Sequence, residues 1–280
     1  MSSNLEQNVR LAKSGDQEAL DAVVCSIKDN IYGLALRMLG HPEDAEDQTH
    51  EILIKVITHL SDFREESAFN TWVYQIACNH LLTKRKQISA RPELTFDSFG
   101  EIITTVTIDA PPLEVSDPER GLLLEEVRLN CMQGALTCLE KDVRVAVILG
   151  ETYGVTSKEG AFILGITPEA FRARLSRGRK ALQKFMTNHC GLVNKKNACK
   201  CHQHAAVALK QGKTFSNQDT ILRKDVAEKG REALLAHLNE FAEIDRTIEM
   251  FRQYPEYQSP ESFSHIVSGL IGSGKYNVFN

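Results

Sequence analysis

The strongest constraint on the fold is a pair of helical patterns separated by a short glycine-containing turn. Ser157 to Leu164 forms the first pattern, and Gly165-Ile166 provides the turn. The second pattern begins at Thr167-Pro168-Glu169, where Thr suits the N-cap, Pro the first helical position and Glu the first turn. Two helices joined in this way are typical of a helix-turn-helix domain. The pattern therefore predicts a helix-turn-helix that begins at Ser157.

The second helix of this pair has an apolar face and a cationic face. Between Arg172 and Lys184 there are six basic residues and no acidic one. A recognition helix places its N-terminal outward residues on base edges and its flanking cations on phosphates. The expected base contacts are Glu169, Arg172, Ala173 and Ser176. The expected contacts to the DNA backbone are Arg174, Arg177, Arg179 and Lys180. The alternative is a basic helix that touches no DNA.

Charge is spread unevenly along the chain, although the net charge is only −4. Residues 141–186 carry 9 Lys and Arg against 4 Asp and Glu, which gives +5. Residues 87–140 carry 3 and 10, which gives −7. We therefore look for phosphate contacts in the basic block.

A second helix, within the stretch Asp62 to Lys86, also has two distinct faces. Its core-facing stripe consists of Phe69, Trp72, Val73, Ile76 and His80, at helical spacing. Its polar ladder consists of Thr71, Gln75 and Asn79, and the helix ends in Lys84, Arg85 and Lys86. A helix fixed by aromatic residues, with a polar ladder and a cationic end, suits a reader of single-stranded nucleic acid. The alternative is a core helix with a solvated face.

The helix before that stretch begins with an unusual density of acids. Residues 5–39 predict two helices separated at Gly15-Asp16, and Gly40-His41-Pro42 ends the second one. The following helix carries Glu43, Asp44, Glu46, Asp47 and Glu51. Carboxylates suit a helix N-terminus, but this number exceeds what capping requires. A partner-facing acidic surface is one interpretation, and a solvated face is the other.

The remaining composition narrows the class of protein. Residues 87–121 are rich in Ser, Thr, Pro and acids and read as an extended linker, with Thr104 to Ile108 a possible extended segment. No apolar run of about 18 residues and no signal pattern occur, so no membrane span is expected. Seven scattered cysteines favour reduced thiols and a cytoplasmic protein. No nucleophile–base pair or phosphate-binding glycine loop appears, so an enzyme is not expected.

Three segments together resemble a known family. Arg37 to Asp47 (RMLGHPEDAED) and Phe69 to Ala77 (FNTWVYQIA), with Asn79, resemble region 2 of bacterial sigma factors of the extracytoplasmic-function (ECF) group. Leu164 to Leu182 (LGITPEAFRARLSRGRKAL) resembles region 4 of the same group. The resemblance covers about residues 10–186. It implies an all-α chain with a region 2 domain at 1–86, a linker at 87–121 and a region 4 domain at 122–186.

The resemblance also implies partners and roles. The chain would bind core RNA polymerase, through its β′ clamp and its β subunit, and would melt promoter DNA. Asp44, Asp47 and Glu51 would dock on the clamp. The loop Phe63, Arg64 and Ser67 would capture a flipped base of the −10 element, and Thr71, Gln75, Asn79, Lys84, Arg85 and Lys86 would contact the unpaired strand. Region 4 would read the −35 element.

The chain departs from the family pattern at three places. His50 stands where Gln is usual, Pro168-Glu169 replaces a small-residue helix start, and Gly160 lies within a helix that it should weaken. Two alternatives therefore stay open. The chain could be a helix-turn-helix regulator that never engages polymerase, or it could be recruited to DNA by another protein.

Residues 187–280 form a C-terminal extension with helical patterns at Asp219 to Phe251 and Ser262 to Leu270. It begins with a cluster in which Cys190, Cys199, Cys201 and His204 could bind a structural zinc ion. Redox-sensitive thiols on a connector are the alternative. No cofactor is otherwise required. The extension could regulate the sigma domains or bind an anti-sigma or recruiting protein.

Overall fold

The structure is a computed structural model that describes residues 2–83, 94–105, 118–210, 243–252 and 256–260. Contacts divide the chain into two compact units. The first unit comprises Met1–Ser89, Ala161–Thr167 and Glu256–Asn280, and the second comprises Ala90–Gly160 and Pro168–Pro255. The described residues form helices and turns but no strand, which confirms the all-α prediction. None of these described helices has the length and apolar character needed to span a bilayer.

The N-terminal part of the first unit is a helical bundle with the predicted breaks. Its elements are α1 (Ser2–Lys13), α2 (Gln17–Leu39), α3 (Pro42–Thr58), a 3-10 turn (Leu60–Asp62) and α4 (Phe69–Thr83). Asp16 caps α2, because its Oδ1 accepts from the backbone N of Ala19 at 2.9 Å. Gly40 ends α2 in the left-handed region at φ 79°. Pro42 then occupies the first turn of α3. Its missing backbone N–H costs nothing there, because the first N–H groups of a helix have no acceptor within the helix.

The core of this bundle is built on α2, which packs against α1, α3 and α4. Buried residues occur along the whole length of α2, and its largest buried apolar side chains are Leu20, Ile27, Ile31, Leu34 and Leu36. Each such side chain contributes about 1.5–3 kcal/mol when it leaves water. Burial along α2 is therefore the main contribution to the stability of the bundle.

An aromatic cluster joins α4 to the loop before it. The ring of Phe63 lies 5.3 Å from that of Phe69 and 5.4 Å from that of Trp72, measured between centroids. Phe63 and Phe69 are buried, and Trp72 is half-buried. The prediction that Phe69 and Trp72 face the core is thus confirmed. Such ring pairs add about 0.5–1.5 kcal/mol beyond simple burial.

The second unit contains most of the helix-turn-helix. Its elements are α5 (Phe96–Thr105), α6 (Pro118–Thr137), α7 (Lys141–Val147), a π-helical turn (Ile148–Thr152), the start of α8 (Ser157–Leu164), α9 (Pro168–His189), α10 (Cys201–Lys210) and α11 (Glu243–Arg252). The last turn of α8 belongs to the first unit. Thr156 and Glu159 cap α8 reciprocally, since each side chain accepts from the other's backbone N, at 3.3 and 2.9 Å. Gly165 forms the turn at φ 62°, and α9 begins at Pro168 as predicted.

The predicted linker contains a helix that the sequence analysis missed. Residues Phe96–Thr105 form α5, so Thr104 and Thr105 are helical rather than extended. Phe96 and Phe99 pack on Phe185 of α9, with ring centroids 5.2 and 5.4 Å apart. Tertiary burial of these rings outweighs the polar composition of the surrounding segment. Residues 106–108 lie outside the described residues.

Most of the predicted helical pattern of the extension also lies outside the described residues. Of Asp219 to Phe251, the structure describes only the last part, which forms α11 and is helical as expected. The helix expected at Ser262 to Leu270 is outside the description, as are Lys84, Arg85 and Lys86. The Cys190 and Cys199 backbones form an isolated parallel bridge between α9 and α10.

Two glycines allow helices of the second unit to approach closely. A Cβ on Gly160 of α8 would lie 2.3 Å from the ring of Phe171, which is fully buried. A Cβ on Gly178 of α9 would lie 2.2 Å from Cγ2 of Val147 on α7. Gly160, which was expected only to weaken its helix, is therefore required by packing.

We expect Gly160→Ala to destabilise the second unit by about 1–3 kcal/mol, because the added methyl group overpacks the Phe171 ring. The matched control is Lys158→Ala on the same helix, where an exposed side chain should change stability by less than about 0.5 kcal/mol. Urea denaturation followed by circular dichroism measures both. Equal midpoints for the two variants would contradict this account of Gly160.

Candidate nucleic-acid and protein interfaces

The acidic surface, defined as Glu43, Asp44, Glu46, Asp47 and Glu51, lies on the N-terminal half of α3. Asp47 is exposed, and Asp44 and Glu51 are half-buried. Within the described ranges, neither Asp44 nor Asp47 forms an ion pair. Burial, followed by the charges of Asp47 and Glu43, raises the pKa of Glu46. The surface thus presents crowded carboxylates, and a basic partner would relieve their repulsion.

A buried polar network lies beneath the C-terminal end of the acidic surface. His80 of α4 is only 3% exposed. Its Nδ1 lies 2.8 Å from Nζ of Lys55, and its Nε2 lies 2.8 Å from Oε1 of Gln48. Because an ammonium group only donates, Nδ1 must accept, and Nε2 carries the proton that it donates to Gln48. Glu51 Oε2 lies 3.8 Å from the same Nε2, so the network fixes α3 against α4 beside a predicted docking residue.

The loop between α3 and α4 presents some, but not all, of its predicted contacts. Arg64 is exposed and Ser67 is half-buried. Phe63 is 5% exposed, and its carbonyl oxygen accepts from Nζ of Lys13 at 2.7 Å. Glu65 adopts a left-handed φ of 57° at the tip of the loop. Phe63 therefore shapes the loop from the core, while Arg64 and Ser67 remain accessible.

The polar ladder of α4 changes in exposure along the helix. Asn79 is exposed, Gln75 is half-buried and Thr71 is buried. The side-chain amide of Gln75 donates to the carbonyl oxygen of Phe162, which belongs to the same unit, at 3.2 Å. Of the three ladder residues, Asn79 is thus the one most available to a ligand.

The predicted outward row of α9 is confirmed. The exposed residues are Glu169, Arg172, Ala173, Ser176, Arg177 and Lys180, and Phe171, Gly178 and Leu182 are buried beneath them. Glu169 accepts from Nη2 of Arg172 at 2.7 Å. A surface ion pair of this kind contributes only about 0–1 kcal/mol, so it does not prevent Arg172 from reaching a base.

Two of the arginines predicted to contact the DNA backbone are held by acids of the second unit. Arg174 lies 2.9 Å from Asp142 of α7, and Arg179 pairs with Glu151 of the π-helical turn. Arg177 and Lys180 form no ion pair within the part of the chain that the structure describes. Arg177 and Lys180 are therefore the residues whose positive charge is most available to DNA phosphates.

Glu151 is a buried charged residue that the sequence analysis missed. Its side chain is fully buried and binds two arginines, Arg179 of α9 and Arg252 of α11, the latter with Nε 2.9 Å from Oε2. A buried carboxylate is tolerated only when it is paired in this way. A lone acid in the apolar run before Tyr153 was the available signal in the sequence.

Comparisons with known proteins agree with this arrangement. The family model of Sigma-70 region 2 matches residues 26–90, and that of Sigma-70 region 4 matches residues 129–182. The RNA polymerase sigma-H factor of Pseudomonas aeruginosa is 30% identical over 183 residues, which are 65% of this chain and 93% of the relative. ECF RNA polymerase sigma factor SigW of Bacillus subtilis is 30% identical, over 66% of this chain and 97% of the relative. The ECF RNA polymerase sigma-E factor of Escherichia coli is 30% identical, over 62% and 90%.

The chain belongs to the ECF group of the sigma-70 family. Region 2 of this sigma factor comprises the bundle around α2, α3 and α4, and region 4 comprises the helices from α6 to α9. The acidic surface and the polar ladder lie in region 2, and the outward row of α9 lies in region 4. Residues 183–280 lie beyond both family matches.

The extension of this sigma factor begins with a cluster of buried thiols. The backbone N of Gly191 donates to the carbonyl oxygen of Cys199 at 3.1 Å, and Cys199 Sγ lies 3.3 Å from Nε2 of His204. Burial raises the pKa of Cys199 to about 12 and that of Cys201 to about 11. Burial raises the pKa of Cys131 on α6 well above its usual value, and Cys190, Cys201 and Cys199 add to the effect, so Cys131 is a neighbour that the sequence did not reveal.

This cluster does not assemble a metal site in the structure. Among the described residues, no three Cys, His, Asp or Glu side chains lie close enough to share an ion. The thiols are chemically suited to zinc. Zinc binding by Cys190, Cys199, Cys201 and His204 therefore stays a prediction from the sequence.

The pKa shifts predict which thiols react with an alkylating reagent at pH 8. Exposed Cys25 should react fastest. Cys78, Cys138, Cys199 and Cys201 should react slowly, because burial raises their pKa to about 11–12 and the reactive thiolate is scarce. Their labelling should accelerate about tenfold per pH unit below those values, as peptide mass spectrometry can measure.

The same experiment tests the zinc prediction. If a metal holds Cys190, Cys199 and Cys201 as thiolates, a chelator should accelerate their labelling and leave that of the buried control Cys78 unchanged. Zinc binding would be contradicted if each of these cysteines were labelled at the same rate with and without chelator and elemental analysis found no zinc in the purified protein.

Proposed function

We propose that this sigma factor directs promoter recognition by binding core RNA polymerase through region 2 and promoter DNA through both regions. One observation carries the proposal. A chain that matches regions 2 and 4, in that order, has carboxylates without ion pairs at Asp44 and Asp47 on region 2. Its region 4 has exposed cations without ion pairs at Arg177 and Lys180. The two surfaces have the opposite charges that a basic protein partner and DNA phosphates require.

The acidic surface is proposed to dock on the β′ clamp of polymerase, with Asp44, Asp47 and Glu51 as its contacts. The buried His80 network supports this role, because it holds α3 rigidly and thereby pre-organises the carboxylates. The β subunit is the further expected contact of the assembled chain.

Strand capture is proposed for the loop and α4. Arg64 and Ser67 are accessible at the loop, and Asn79 is accessible on α4, so they can hydrogen-bond to an unpaired base. Thr71 and Phe63 would support the pocket from within, since both are buried. Gln75 would have to exchange its hydrogen bond to Phe162 for one to DNA.

The −35 element is proposed to bind the outward row of α9. Arg172, Ala173 and Ser176 are exposed in the first turns, where base edges are read, and Arg177 and Lys180 follow where phosphates lie. Arg174 and Arg179 would contribute less, because both are half-buried and already paired with Asp142 and Glu151.

We infer further that the chain acts by binding, without a reaction of its own, and that it works in the cytoplasm, where polymerase and promoters are found. If the chain were a helix-turn-helix regulator that does not bind polymerase, the region 2 domain and its acidic surface would have no role. Recruitment by another protein through the extension has no specific support in the described contacts.

Asp47→Lys tests polymerase docking. Placing a cation opposite a basic partner costs several kcal/mol, so we expect the affinity for core polymerase to fall about 100-fold or more. Promoter-dependent transcription in vitro should be lost with it. The matched control is Glu18→Lys, the same charge reversal at an exposed position on α2, which should keep near-normal affinity. Equal affinities for the two variants would overturn the docking assignment.

Two substitutions on α9 separate backbone contacts from base contacts. Arg177→Ala should weaken binding to all promoters alike and reduce the slope of log affinity against log salt by about 1. Arg172→Ala should cost about 1–3 kcal/mol at one base position and relax the preference there. Lys196→Ala, which removes an exposed charge from the extension, is the control. Promoter binding by the holoenzyme, measured at several salt concentrations, distinguishes these results. If only Lys196→Ala reduced the slope of log affinity against log salt, the assignment of Arg177 to a phosphate contact would be refuted.

A further inference from the structure

A short segment of the extension, residues 256–260, lies against α2 of region 2. The backbone N and the Oγ of Ser259 both donate to Oδ1 of Asp29, at 2.9 and 2.6 Å. The ring of Tyr257 lies beneath the guanidinium of Arg37, with Cζ 4.5 Å from the ring centroid. Tyr257 is 3% exposed and Ser259 is 5% exposed. The segment is therefore a docked part of the first unit rather than a loose end.

The contact has the pattern of specific peptide recognition. Along the segment, Glu256 and Gln258 are exposed, whereas Tyr257 and Ser259 are buried. Alternate side chains facing a surface are how extended peptides are read. On α2 the two anchors are Asp29 and Arg37, eight residues apart and so on one face. The guanidinium of Arg37 is held in place against the ring, because its Nη1 donates to the carbonyl oxygen of Gly33 at 2.9 Å.

The docking position is next to the acidic surface of α3. Arg37 lies in the last turn of α2, and the chain turns into α3 at Gly40. Tyr32 of α2 is 7% exposed, and burial, then Glu46, then Tyr257 raise its pKa to about 12. Glu46 and Tyr257 thus both lie near Tyr32. Glu46 is itself flanked by the predicted polymerase contacts Asp44 and Asp47.

We propose that segment 256–260 is a built-in competitor of core RNA polymerase, which occupies the face of α2 beside the acidic surface and must leave before polymerase can bind there. The inference rests on the proposed polymerase docking by region 2. The segment belongs to the same chain, so it binds at a high effective concentration even though the contact is small. A partner that captures the extension would then activate the sigma factor.

The size of the effect follows from the population of the docked form. If the segment is docked about nine times in ten, the apparent affinity for polymerase is about tenfold weaker than that of the open form. Removing the two anchors should therefore strengthen polymerase binding about tenfold. A purely structural role for the segment predicts the opposite sign, because loss of the contact would weaken region 2.

The test compares two full-length double variants, one that removes the buried side chains of the segment and one that removes its exposed side chains. Tyr257→Ala combined with Ser259→Ala removes the buried anchors, and Glu256→Ala combined with Gln258→Ala removes the exposed side chains as the matched control. The measurements are the dissociation constant for core polymerase and hydrogen exchange of the α2 amides. A synthetic peptide of residues 253–262 is then added to the anchor variant.

Faster exchange in α2 together with about tenfold tighter polymerase binding in the anchor variant, but not in the control, supports the proposal. The peptide should reverse the gain, and a peptide with Tyr257→Ala should not. Faster exchange without tighter binding overturns the competition, and unchanged exchange overturns the docking. If neither variant nor the parent chain binds polymerase, the proposed function itself fails, which the other outcomes leave intact.

Discussion

The presentation of α9 depends on the close approach that two glycines allow. At Gly178 a side chain would collide with Val147 of α7, and at Gly160 it would collide with the ring of Phe171. These contacts fix the rotation of α9 about its own axis. Residues such as Arg172 and Arg177 lie one quarter to one half of a turn around α9 from Phe171 and Gly178, and they therefore face solvent. The cationic row is thus a consequence of packing on the opposite face of the same helix.

Glu151 divides the arginines of the second unit into an inner and an outer set. A fully buried carboxylate needs compensation, and it draws Arg179 and Arg252 towards it although both remain partly exposed. The outer set, which includes Arg172 and Arg177, is not bound by Glu151 and remains exposed. A count of basic residues in the sequence therefore overstates the charge that α9 presents, because such a count cannot distinguish Arg177 from Arg179. The acid that makes this distinction lies 28 residues away in sequence from Arg179.

Local patterns predicted much of the fold. The helix break at Gly15-Asp16, the end of α2 at Gly40, the turn at Gly165 and the start of α9 at Pro168 are determined by neighbours a few residues away, and all of them are confirmed. The two faces of α9 also followed from helical spacing. In contrast, α5 was missed because its helix is stabilised by rings that pack on Phe185, a partner 86 to 89 residues away in sequence. Periodicity in ten residues cannot reveal such a partner.

The candidate sites, like the fold, were predictable only where a local sequence pattern determines them. Exposed rows could be predicted, but the buried polar groups that organise them could not. His80 was placed correctly on the core side of α4, yet its spacing gave no sign of the hydrogen bonds to Gln48 and Lys55. The neighbourhood of Cys131 and the thiols of the extension is likewise tertiary.

The extension completes electrostatic pairs in each unit. In the second unit, Arg252 supplies one of the two cations on the buried Glu151. In the first unit, Ser259 supplies two hydrogen bonds to Asp29 of α2. Both acids lie in elements of the sigma domains, whereas both partners lie beyond the family matches. A chain cut after region 4 would leave Glu151 with a single arginine and Asp29 without its serine. Residues 243–252 and 256–260 therefore each complete a polar contact of a sigma domain.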